Sequence, residues 1–502
     1  MQSSKMLKCY YKQLILLSLS LSLALPGYTQ NQLPANRMDY HFSWDGQSTI
    51  LKMDIKYNDH GNDSTVFIYG VPGAGGQPRI FDILGNVRVD QGDTLRIIIA
   101  ERKLIVRHHG RGIKTLHAEL NGALITGPRA LPNEAFRPTV APGFFYSRGF
   151  DLFMEVPDVT YQQIGLVWDH WPKDMRYLIS TDPEAKPSDM QVFSSDESVR
   201  YFIMLQMGKD LVITKMKLDD IPHYLLTSKS DTSSGLPEKV KGFMNSYMPA
   251  IRNFWNDNQA PFYIFSAIPL LNDVPSKMTG MALPNGLSVR YRGPLDQEKI
   301  HLIAHEVSHN WIGVNLKFEQ SGMENNWFNE GFNDYISIYN LVKAGLYNKR
   351  EFLRYVNRDN LAAHYANPVG QVPGDSIAAN FFKSGLYEKL PYQRGFIYAF
   401  YLDNQIRLAS GGKKTIRDFL LALNLKNKSD KRKPLTAADF ALAIKPFLPG
   451  HNIAAEINAN MLGGKYINFL KAQLIKGFHI KYNRQVPVLT ISDQIDLHQV
   501  YR

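Results

Sequence analysis

The spacing of apolar residues changes once along this chain, and that change constrains the fold more than any other feature. From Met38 to Lys217, apolar and polar residues alternate in short runs such as "TLRIIIAERKLIVRHHG" and "SVRYFIMLQMG", separated by Gly, Asp, Asn and Pro. Alternation bounded by turn residues predicts β-strands. A region of roughly 190 residues with this pattern predicts an all-β domain, either a sandwich or a saddle-shaped sheet.

After the polar stretch "SKSDTSSG" (Ser228–Gly235) the pattern becomes mainly helical. "LPEKVKGFMNSYMPAIRNFW" predicts a helix, "PFYIFSAIPL" and "GLSVRYRG" predict two strands, and helical spacing dominates from Leu295 to about Leu425. The sequence "TAAD" (Thr436–Asp439) has the spacing of a capping box and predicts the start of a last helical region.

These patterns predict an α+β multidomain chain. We expect an N-terminal β domain at residues 31–232, a mixed α/β domain at 233–433 and a small C-terminal helical region at 434–502.

The first thirty residues predict a secretory signal peptide. Lys5, Lys8 and Lys12 precede the apolar run "LILLSLSLSLAL" (Leu14–Leu25), and a polar stretch with proline follows it. The run is short for a bilayer span and no later segment is longer, although a short membrane anchor is the alternative. We therefore expect residues 1–30 to be removed from an exported protein, periplasmic or secreted, with no membrane span after cleavage.

The single cysteine, Cys9, lies inside the predicted signal peptide. The mature chain would therefore have no disulfide and no thiol ligand, so a metal site must use His, Asp and Glu. The net charge of +11 falls to +8 without the three signal lysines. The chain has no basic motif interleaved with aromatic residues, no G-x-S-x-G and no P-loop, which argues against nucleic-acid binding, serine hydrolysis and nucleotide triphosphate chemistry.

One candidate metal motif lies in "PLDQEKIHLIAHEVSHNWIG". Pro294 predicts the start of a helix and Gly313 its end. His305 and His309 are four residues apart and stack on one face, so both imidazoles can bind one zinc ion at about 2.0–2.1 Å. Glu306 points about 100° round the helix, where it can act as a metalloprotease base. The alternative is a half-buried histidine pair without a metal.

A catalytic zinc ion needs a third protein ligand and an open fourth position. Ile312 occupies the position at which a metzincin has glycine, so a third histidine is not expected nearby. Glu330, in "WFNEGFNDYISIYNLVKAG", is a candidate carboxylate ligand on a following helix. Asp334 lies one turn later on the same face and can accept a hydrogen bond from a ligand histidine. We therefore predict one Zn²⁺ held by His305, His309 and Glu330.

The segments "HEVSHNW" and "WFNEGFNDY" resemble the gluzincin metallopeptidases, in particular the alanyl-aminopeptidase-like enzymes and their glycyl-aminopeptidase relatives. "YNLVKAGLYNKREFL" and "YLDNQIRLASGGKKTIRDFLLAL" are more similar to the glycyl branch. The resemblance implies a thermolysin-like catalytic domain at residues 233–433, a peptide substrate and zinc. It also implies that Tyr392, in "PYQRG", stabilises the oxyanion, with Arg394 replacing the family's lysine.

One stretch departs from the family pattern. In "TGMALPNGLSVRY", Gly280 and Met281 match the family's substrate-binding strand, but Ala282 or Leu283 occupies the position of the glutamate that binds the substrate's free amine. We expect Gly280, Met281 and Ala282 to contact substrate, as an edge strand can. Peptide hydrolysis is predicted with aminopeptidase specificity left open. The alternatives are an endopeptidase, an inactive zinc-containing peptide-binding protein, or a surface-binding β domain with a structural zinc site.

Overall fold

The computed structural model describes residues 33–70, 80–124, 138–157, 159, 161–231, 235–270, 277–319, 323–429 and 433–502. The predicted signal peptide at residues 1–30 lies outside the described residues. Across the described part of the chain, no helix combines the length and the apolar character needed to cross a membrane.

Thirteen described strands precede residue 210. They are β1 (Arg37–Ser43), β2 (Ile50–Asn58), β3 (Ser64–Ile68), β4 (Leu84–Val89), β5 (Thr94–Ile98), β6 (Lys103–Arg107), β7 (Ile113–Asn121), β8 (Thr139–Ala141), β9 (Phe144–Arg148), β10 (Gln163–His170), β11 (Arg176–Ile179), β12 (Gln191–Ser194) and β13 (Met204–Gly208). They form a six-stranded sheet in the order β12-β10-β1-β2-β7-β4, a four-stranded sheet β11-β13-β9-β8 and a three-stranded sheet β3-β6-β5.

The alternation read from the sequence determines which face of each strand is buried. In β2, Leu51, Met53 and Ile55 are fully buried, whereas Lys52 and Lys56 on the other face are exposed. These apolar residues share one core with side chains from all three sheets. Burial of alternate apolar residues is the stabilising contribution expected for packed sheets.

A fourth, mixed sheet contains the five following strands in the order β14-β15-β16-β18-β17. These are β14 (Leu211–Leu218), β15 (Ile221–Ser228), β16 (Tyr263–Pro269), β17 (Lys277–Leu283) and β18 (Gly286–Arg292). β15, β16 and β18 are parallel to one another, and β14 and β17 are antiparallel at the two edges. The sheet therefore crosses the boundary predicted at residues 232/233, because β14 and β15 pair with strands that follow it.

The two parts of the chain pack through a separate apolar cluster. Tyr146 and Met204 of the four-stranded sheet contact Leu226, Ile264 and other apolar residues of the five-stranded sheet. Polar side chains cross the same interface, since Ser266 Oγ donates a hydrogen bond to Gln206 Oε1 at 2.9 Å. The β domain therefore lies directly against the sheet whose edge is β17.

Helices make up most of the described chain after residue 235. The α-helices, with two short earlier ones, are α1 (Gly149–Leu152), α2 (Glu197–Arg200), α3 (Leu236–Trp255), α4 (Gln297–Ser308), α5 (Asn333–Lys343), α6 (Lys349–Arg354), α7 (Ala363–Tyr365), α8 (Gly374–Asn380), α9 (Gly385–Glu388), α10 (Leu390–Ala409), α11 (Ile416–Ser429), α12 (Ala437–Ile444), α13 (Ile453–Glu456) and α14 (Leu497–Val500). Three π-helical segments span Trp327–Phe332, Tyr355–Ala362 and Ile457–Leu462. Short 3₁₀ segments span Ile80–Ile83, Ile99–Glu101, Gly122–Leu124, Met323–Asn325 and Phe381–Lys383.

Helix α4 starts later and ends earlier than the sequence predicts. Its N-cap is Asp296, whose side chain accepts a hydrogen bond from the backbone N–H of Lys299 at 3.0 Å, so Pro294 lies outside the helix. An aspartate cap satisfies an orphan N–H, which proline at the predicted position cannot do. At the other end His309 is the C-cap, and Gly313 lies in the following turn with φ +94°.

The C-terminal region contains more than the helices expected at residues 434–502. The predicted capping box is present at α12, with reciprocal hydrogen bonds between Thr436 and Asp439. The chain then forms a hairpin of β19 (Phe478–Asn483) and β20 (Val486–Ile491), which the sequence analysis did not predict. Apolar residues of this region belong to the same core as α3, α4 and α5. The C-terminal region is therefore part of the same packed unit as the helices around β17.

Candidate active site

The three predicted metal ligands lie together in the fold. His305 Nε2 and His309 Nε2 are 2.9 Å apart, and Glu330 Oε2 lies 3.1 Å from His305 Nε2 and 3.5 Å from His309 Nε2. α4 carries both histidines at its C-terminal end, and the π-helical segment Trp327–Phe332 carries the glutamate. Among the described residues, this is the one group of three His, Cys, Asp or Glu side chains close enough to hold a metal ion.

The donor geometry fits one zinc ion. Four ligands at about 2.0–2.1 Å in a tetrahedral arrangement would lie roughly 3.3 Å from one another, close to the three separations in the cluster. Glu330 Oε2 is buried and has no partner with hydrogen-bond geometry among the described residues, which suits a metal-binding oxygen. His309 Nδ1 donates to the carbonyl oxygen of Ile312 at 3.0 Å, so its Nε2 presents the lone pair that a metal requires.

Asp334 holds the other ligand histidine in the same way. Its Oδ1 lies 2.6 Å from His305 Nδ1, and its Oδ2 accepts a hydrogen bond from the Tyr355 hydroxyl at 3.1 Å. His301 Nε2 lies 3.2 Å from Asp334 Oδ1, so it contacts this carboxylate and not the metal cluster. Burial alone would raise the pKa of Asp334. The neighbouring His305 and His301 have the larger, opposite effect and hold the pKa of Asp334 well below its usual range. Asp334 is therefore a charged acceptor that fixes the tautomer of His305.

Glu306 lies beside the cluster with its carboxylate buried. Its side chain is 8% exposed, and burial, together with the nearby Glu330 carboxylate, raises the pKa of Glu306 despite His305 and His309. A carboxyl group whose pKa is raised towards neutrality can accept and return a proton during a reaction. The Glu306 side chain is therefore in a suitable state to act as a general base.

Strand β17 lies against Glu306, and the fit depends on a glycine. A Cβ on Gly280 would lie only 2.8 Å from Glu306 Cγ, so no side chain can be accommodated there. A hydrogen bond from the backbone of Ala282 also reaches the Glu306 carboxylate. In the described residues β17 pairs only with β18, which leaves its second edge available for another extended chain.

The other face of β17 is turned towards the β domain. Met281, predicted to contact substrate, is 6% exposed and packs against Phe150 of α1. Leu283 is 1% exposed and packs among Tyr146, Leu226 and other residues of the interdomain cluster. Of the three predicted substrate-binding residues, Gly280 and Ala282 are therefore next to Glu306, whereas Met281 belongs to the domain interface.

Tyr392 lies beside the cluster at the start of α10. Its ring stacks near the His305 ring, with centroids 6.0 Å apart. Burial, reinforced by the carboxylates of Glu330, Asp334 and Glu306, raises the pKa of Tyr392 well above its usual range. The hydroxyl therefore keeps its proton at neutral pH and can donate a hydrogen bond.

Arg394 donates hydrogen bonds to the backbone of neighbouring segments. Its guanidinium is 2% exposed and donates to the carbonyl oxygens of Met461, Gly370 and Val372 at 2.9, 3.1 and 2.5 Å. The bond to Met461 connects α10 to the C-terminal region, and the bonds to Gly370 and Val372 connect it to the segment before α8. Planar guanidinium geometry allows several such bonds at once. Sequence reasoning missed these bonds of Arg394 and also missed the contact of Tyr355 with Asp334. In both cases the bonded residues are far apart in the sequence, so no local pattern indicates the contact.

No protein-family model matches this chain, and no curated protein matches it either. Solved structures do match. An aminopeptidase N family protein from Idiomarina loihiensis superposes with a TM-score of 0.72 over 90% of this chain and 81% of its own length, at 14% identity. An M1 zinc metallopeptidase from Deinococcus radiodurans superposes with a TM-score of 0.50 over 89% of this chain and 97% of its own, also at 14% identity.

A mutant of the Deinococcus radiodurans enzyme bound to a Tyr-Ser-Ala substrate gives the same TM-score of 0.50 at 14% identity. The superposition covers 89% of this chain and 98% of the mutant enzyme's chain. The chain therefore has the fold of these metallopeptidases, with an N-terminal β domain, mixed sheet and helices, and a C-terminal region containing helices.

Proposed function

We propose that this chain is a zinc-dependent metallopeptidase of the aminopeptidase-like gluzincin type, with a thermolysin-like catalytic region. The observation that carries this proposal is the convergence of His305 Nε2, His309 Nε2 and Glu330 Oε2 within 3.5 Å of one another. The flanking Glu306 and Tyr392 side chains supply the acid-base and hydrogen-bond donor groups that peptide hydrolysis needs. We assign the ligands to His305, His309 and Glu330, with Asp334 orienting His305.

Each residue has a separate task in this proposal. A zinc ion in the site would supply a Lewis acid that polarises the scissile carbonyl and lowers the pKa of water. Glu306 accepts the proton of the attacking water and transfers it to the leaving amine. Tyr392 donates a hydrogen bond to the oxygen on which negative charge develops. Gly280 and Ala282 hold the extended substrate backbone along the edge of β17.

The solved structures with this fold support a peptide substrate. Two of them are described as M1 zinc metallopeptidases, and one of those is bound to a Tyr-Ser-Ala peptide. We propose peptides as the substrate class and no nucleic acid. The similarity of the motifs around α5 and α10 to the glycyl-aminopeptidase branch supports that branch in particular. Export to the periplasm or secretion is proposed on the sequence of residues 1–30.

The motif resemblance implies that Ala282 or Leu283 occupies the position of the amine-binding carboxylate of related aminopeptidases. Leu283 is buried in the interdomain cluster, and Ala282 has no ionisable group, so neither can pair with a substrate ammonium. We therefore propose an aminopeptidase-like enzyme that lacks the usual amine-binding glutamate, with an endopeptidase of the same fold as the alternative. Cleavage of N-terminally blocked peptides would distinguish an endopeptidase from a strict aminopeptidase.

Metal analysis combined with one conservative variant tests this function. The purified protein should contain one zinc ion per chain and hydrolyse a mixed peptide library. Glu306→Gln should keep the zinc and lose peptidase activity by a factor of about 10² or more, as expected for loss of a general base. Glu319→Gln, an exposed glutamate outside the site, should leave activity unchanged.

Full cleavage by the Glu306→Gln variant would refute the proposed mechanism. Zinc and peptide binding by a wild-type protein that cleaves no peptide would favour the alternative, an inactive peptide-binding protein.

A further inference from the structure

Helices α11 and α12 leave two leucines on the surface of the protein. Leu425 of α11 is 72% exposed and Leu442 of α12 is 63% exposed, although both helices bury their opposite sides. In α12, Phe440 is fully buried, and its ring lies 5.7 Å from that of Trp327 in the segment that carries Glu330. The two exposed leucines therefore do not contribute to the core of the described chain.

A lysine follows each of these leucines at the same helical spacing. Lys428 comes three residues after Leu425, and Lys445 comes three residues after Leu442, so each pair lies on one side of its helix. Both lysines are exposed, and no carboxylate of the described residues forms an ion pair with either of them. Each helix therefore presents an apolar side chain next to a free ammonium group.

The exposed sides of the two helices adjoin each other. Lys426 Nζ of α11 lies 3.4 Å from Asp439 Oδ1 of α12. Lys426 directly follows Leu425, and Asp439 lies one turn before Leu442 on the same side of α12. The leucines and lysines of the two helices therefore form one surface, which we call the α11/α12 surface and define by Leu425, Lys428, Leu442 and Lys445.

The positive charge of the chain is concentrated in this region. Residues 411–450 contain nine Lys or Arg residues and three Asp residues, a net charge of +6, compared with +11 for the whole chain. Such a surface repels a second copy of itself, so self-association does not explain the exposed leucines. Nucleic acid would be attracted by the charge but would gain little from aliphatic side chains. An anionic bilayer matches both features, because its headgroups pair with lysines and its acyl boundary accepts leucines.

We propose that the α11/α12 surface docks this protein on a bilayer that contains anionic lipids. Leu425 and Leu442 enter the boundary between headgroups and acyl chains, and Lys428 and Lys445 contact lipid phosphates. Because the inner side of α12 packs against the segment that carries Glu330, docking holds the candidate metal cluster close to the bilayer. The contact is peripheral, and it does not depend on the proposed peptidase function.

Vesicle flotation tests the role of the charge. The exported protein should partition onto vesicles of mixed phosphatidylcholine and phosphatidylglycerol about tenfold or more better than onto phosphatidylcholine alone. The double variant Lys428→Glu, Lys445→Glu should lower the partition coefficient by about 25-fold or more, since each lysine at an anionic surface contributes about fivefold. The double variant Lys52→Glu, Lys56→Glu, on the exposed face of β2, makes the same change in net charge and should float like the wild type.

A fluorescent probe tests the insertion of the leucines. Cys9 is the single cysteine, so Leu442→Cys in a Cys9→Ser background takes one environment-sensitive label. Its emission should shift to the blue when vesicles containing phosphatidylglycerol are added, because the probe leaves water. Val192→Cys, at an exposed apolar residue of β12, is the matched control and should show no shift.

Equal partitioning onto the two kinds of vesicle would overturn the inference, and so would equal partitioning of the two double variants. An unshifted emission at position 442 would also overturn it, because the leucines would then remain in water. Tighter binding to an oligonucleotide that displaces the protein from anionic vesicles would assign the surface to nucleic acid instead. None of these measurements uses peptide hydrolysis, so failure of the proposed peptidase function would leave them unchanged.

Discussion

Gly331 and Gly395 cross with their backbones in direct contact. A Cβ on Gly331 would lie 2.5 Å from the Cα of Gly395, and a Cβ on Gly395 would lie 2.8 Å from the Cα of Gly331. Gly331 follows the candidate ligand Glu330, and Gly395 comes three residues after Tyr392 on α10. The contact between these two glycines therefore fixes the distance between the metal cluster and the tyrosine hydroxyl.

Gly395→Ala should separate α10 from the π-helical segment that carries Glu330. The added methyl group has no space, so we expect the free energy of unfolding to fall by about 1–3 kcal/mol, as is usual for overpacked sites. Peptidase activity should fall more than this loss of folded protein explains. Gly385→Ala is the matched control, because nothing lies within 4 Å of a Cβ there. Thermal unfolding and kcat of both variants test the prediction, and equal behaviour of the two would contradict it.

Asp334→Asn should weaken metal binding without removing a ligand. The asparagine cannot supply the charge that orients His305, and substitutions of such partners typically weaken metal affinity about 10–100-fold. Competition with a chromogenic zinc chelator measures the change. Tyr355→Phe removes only the hydrogen bond to Asp334 Oδ2 and should have a smaller effect. A zinc affinity for Asp334→Asn equal to that of the wild type would show that this carboxylate does not support the site.

Gly280→Ala should abolish most activity while the zinc content stays at one ion per chain. The methyl group would displace the Glu306 side chain, because the new Cβ would lie 2.8 Å from Glu306 Cγ. We expect kcat to fall by about 10²-fold, the scale associated with misplaced catalytic groups. Gly85→Ala in β4, where a Cβ meets nothing within 4 Å, should change neither value. Normal kcat in Gly280→Ala would rule out close contact between this strand and the general base.

The stability of the protein should depend on His364 at acid pH. Burial, with the nearby Arg394 guanidinium, lowers the pKa of His364 to about 3, whereas in the unfolded chain it would be about 6.5. Below pH 6.5 the unfolded state therefore binds the extra proton, and the free energy of unfolding falls as pH falls towards 3. The loss is about 1.4 kcal/mol per pH unit in this window.

Chemical denaturation of His364→Gln between pH 6.5 and pH 4 tests this dependence. As pH falls, the free energy of unfolding of the variant should decrease less steeply than that of the wild type. The difference between the two slopes should be about 1.4 kcal/mol per pH unit. His60→Gln, a substitution of an exposed histidine, should leave the pH dependence of the wild type unchanged. An identical slope in His364→Gln and the wild type would show that His364 does not contribute.

Local sequence patterns were sufficient for elements that depend on near neighbours. The helix expected from Leu236 to Trp255 has those bounds, and the capping box at Thr436 is present. The cluster of His305 and His309 with Glu330 could also be anticipated, because i, i+4 spacing on one helix leaves a single additional ligand to be found. These features follow from helical periodicity and from the chemistry of the side chains.

Tertiary structure decided the features that depend on residues far apart in the chain. β14 and β15 have the alternation of the preceding strands but pair with β16, since alternation specifies a buried face and not a partner strand. Leu283 is buried because the β domain packs over that face of β17, and the contact of Gly331 with Gly395 requires two segments to cross. The sequence by itself determined which side chains could bind a metal. Only packing decided which of them meet, because burial and long-range contacts arise when separate elements exclude water together.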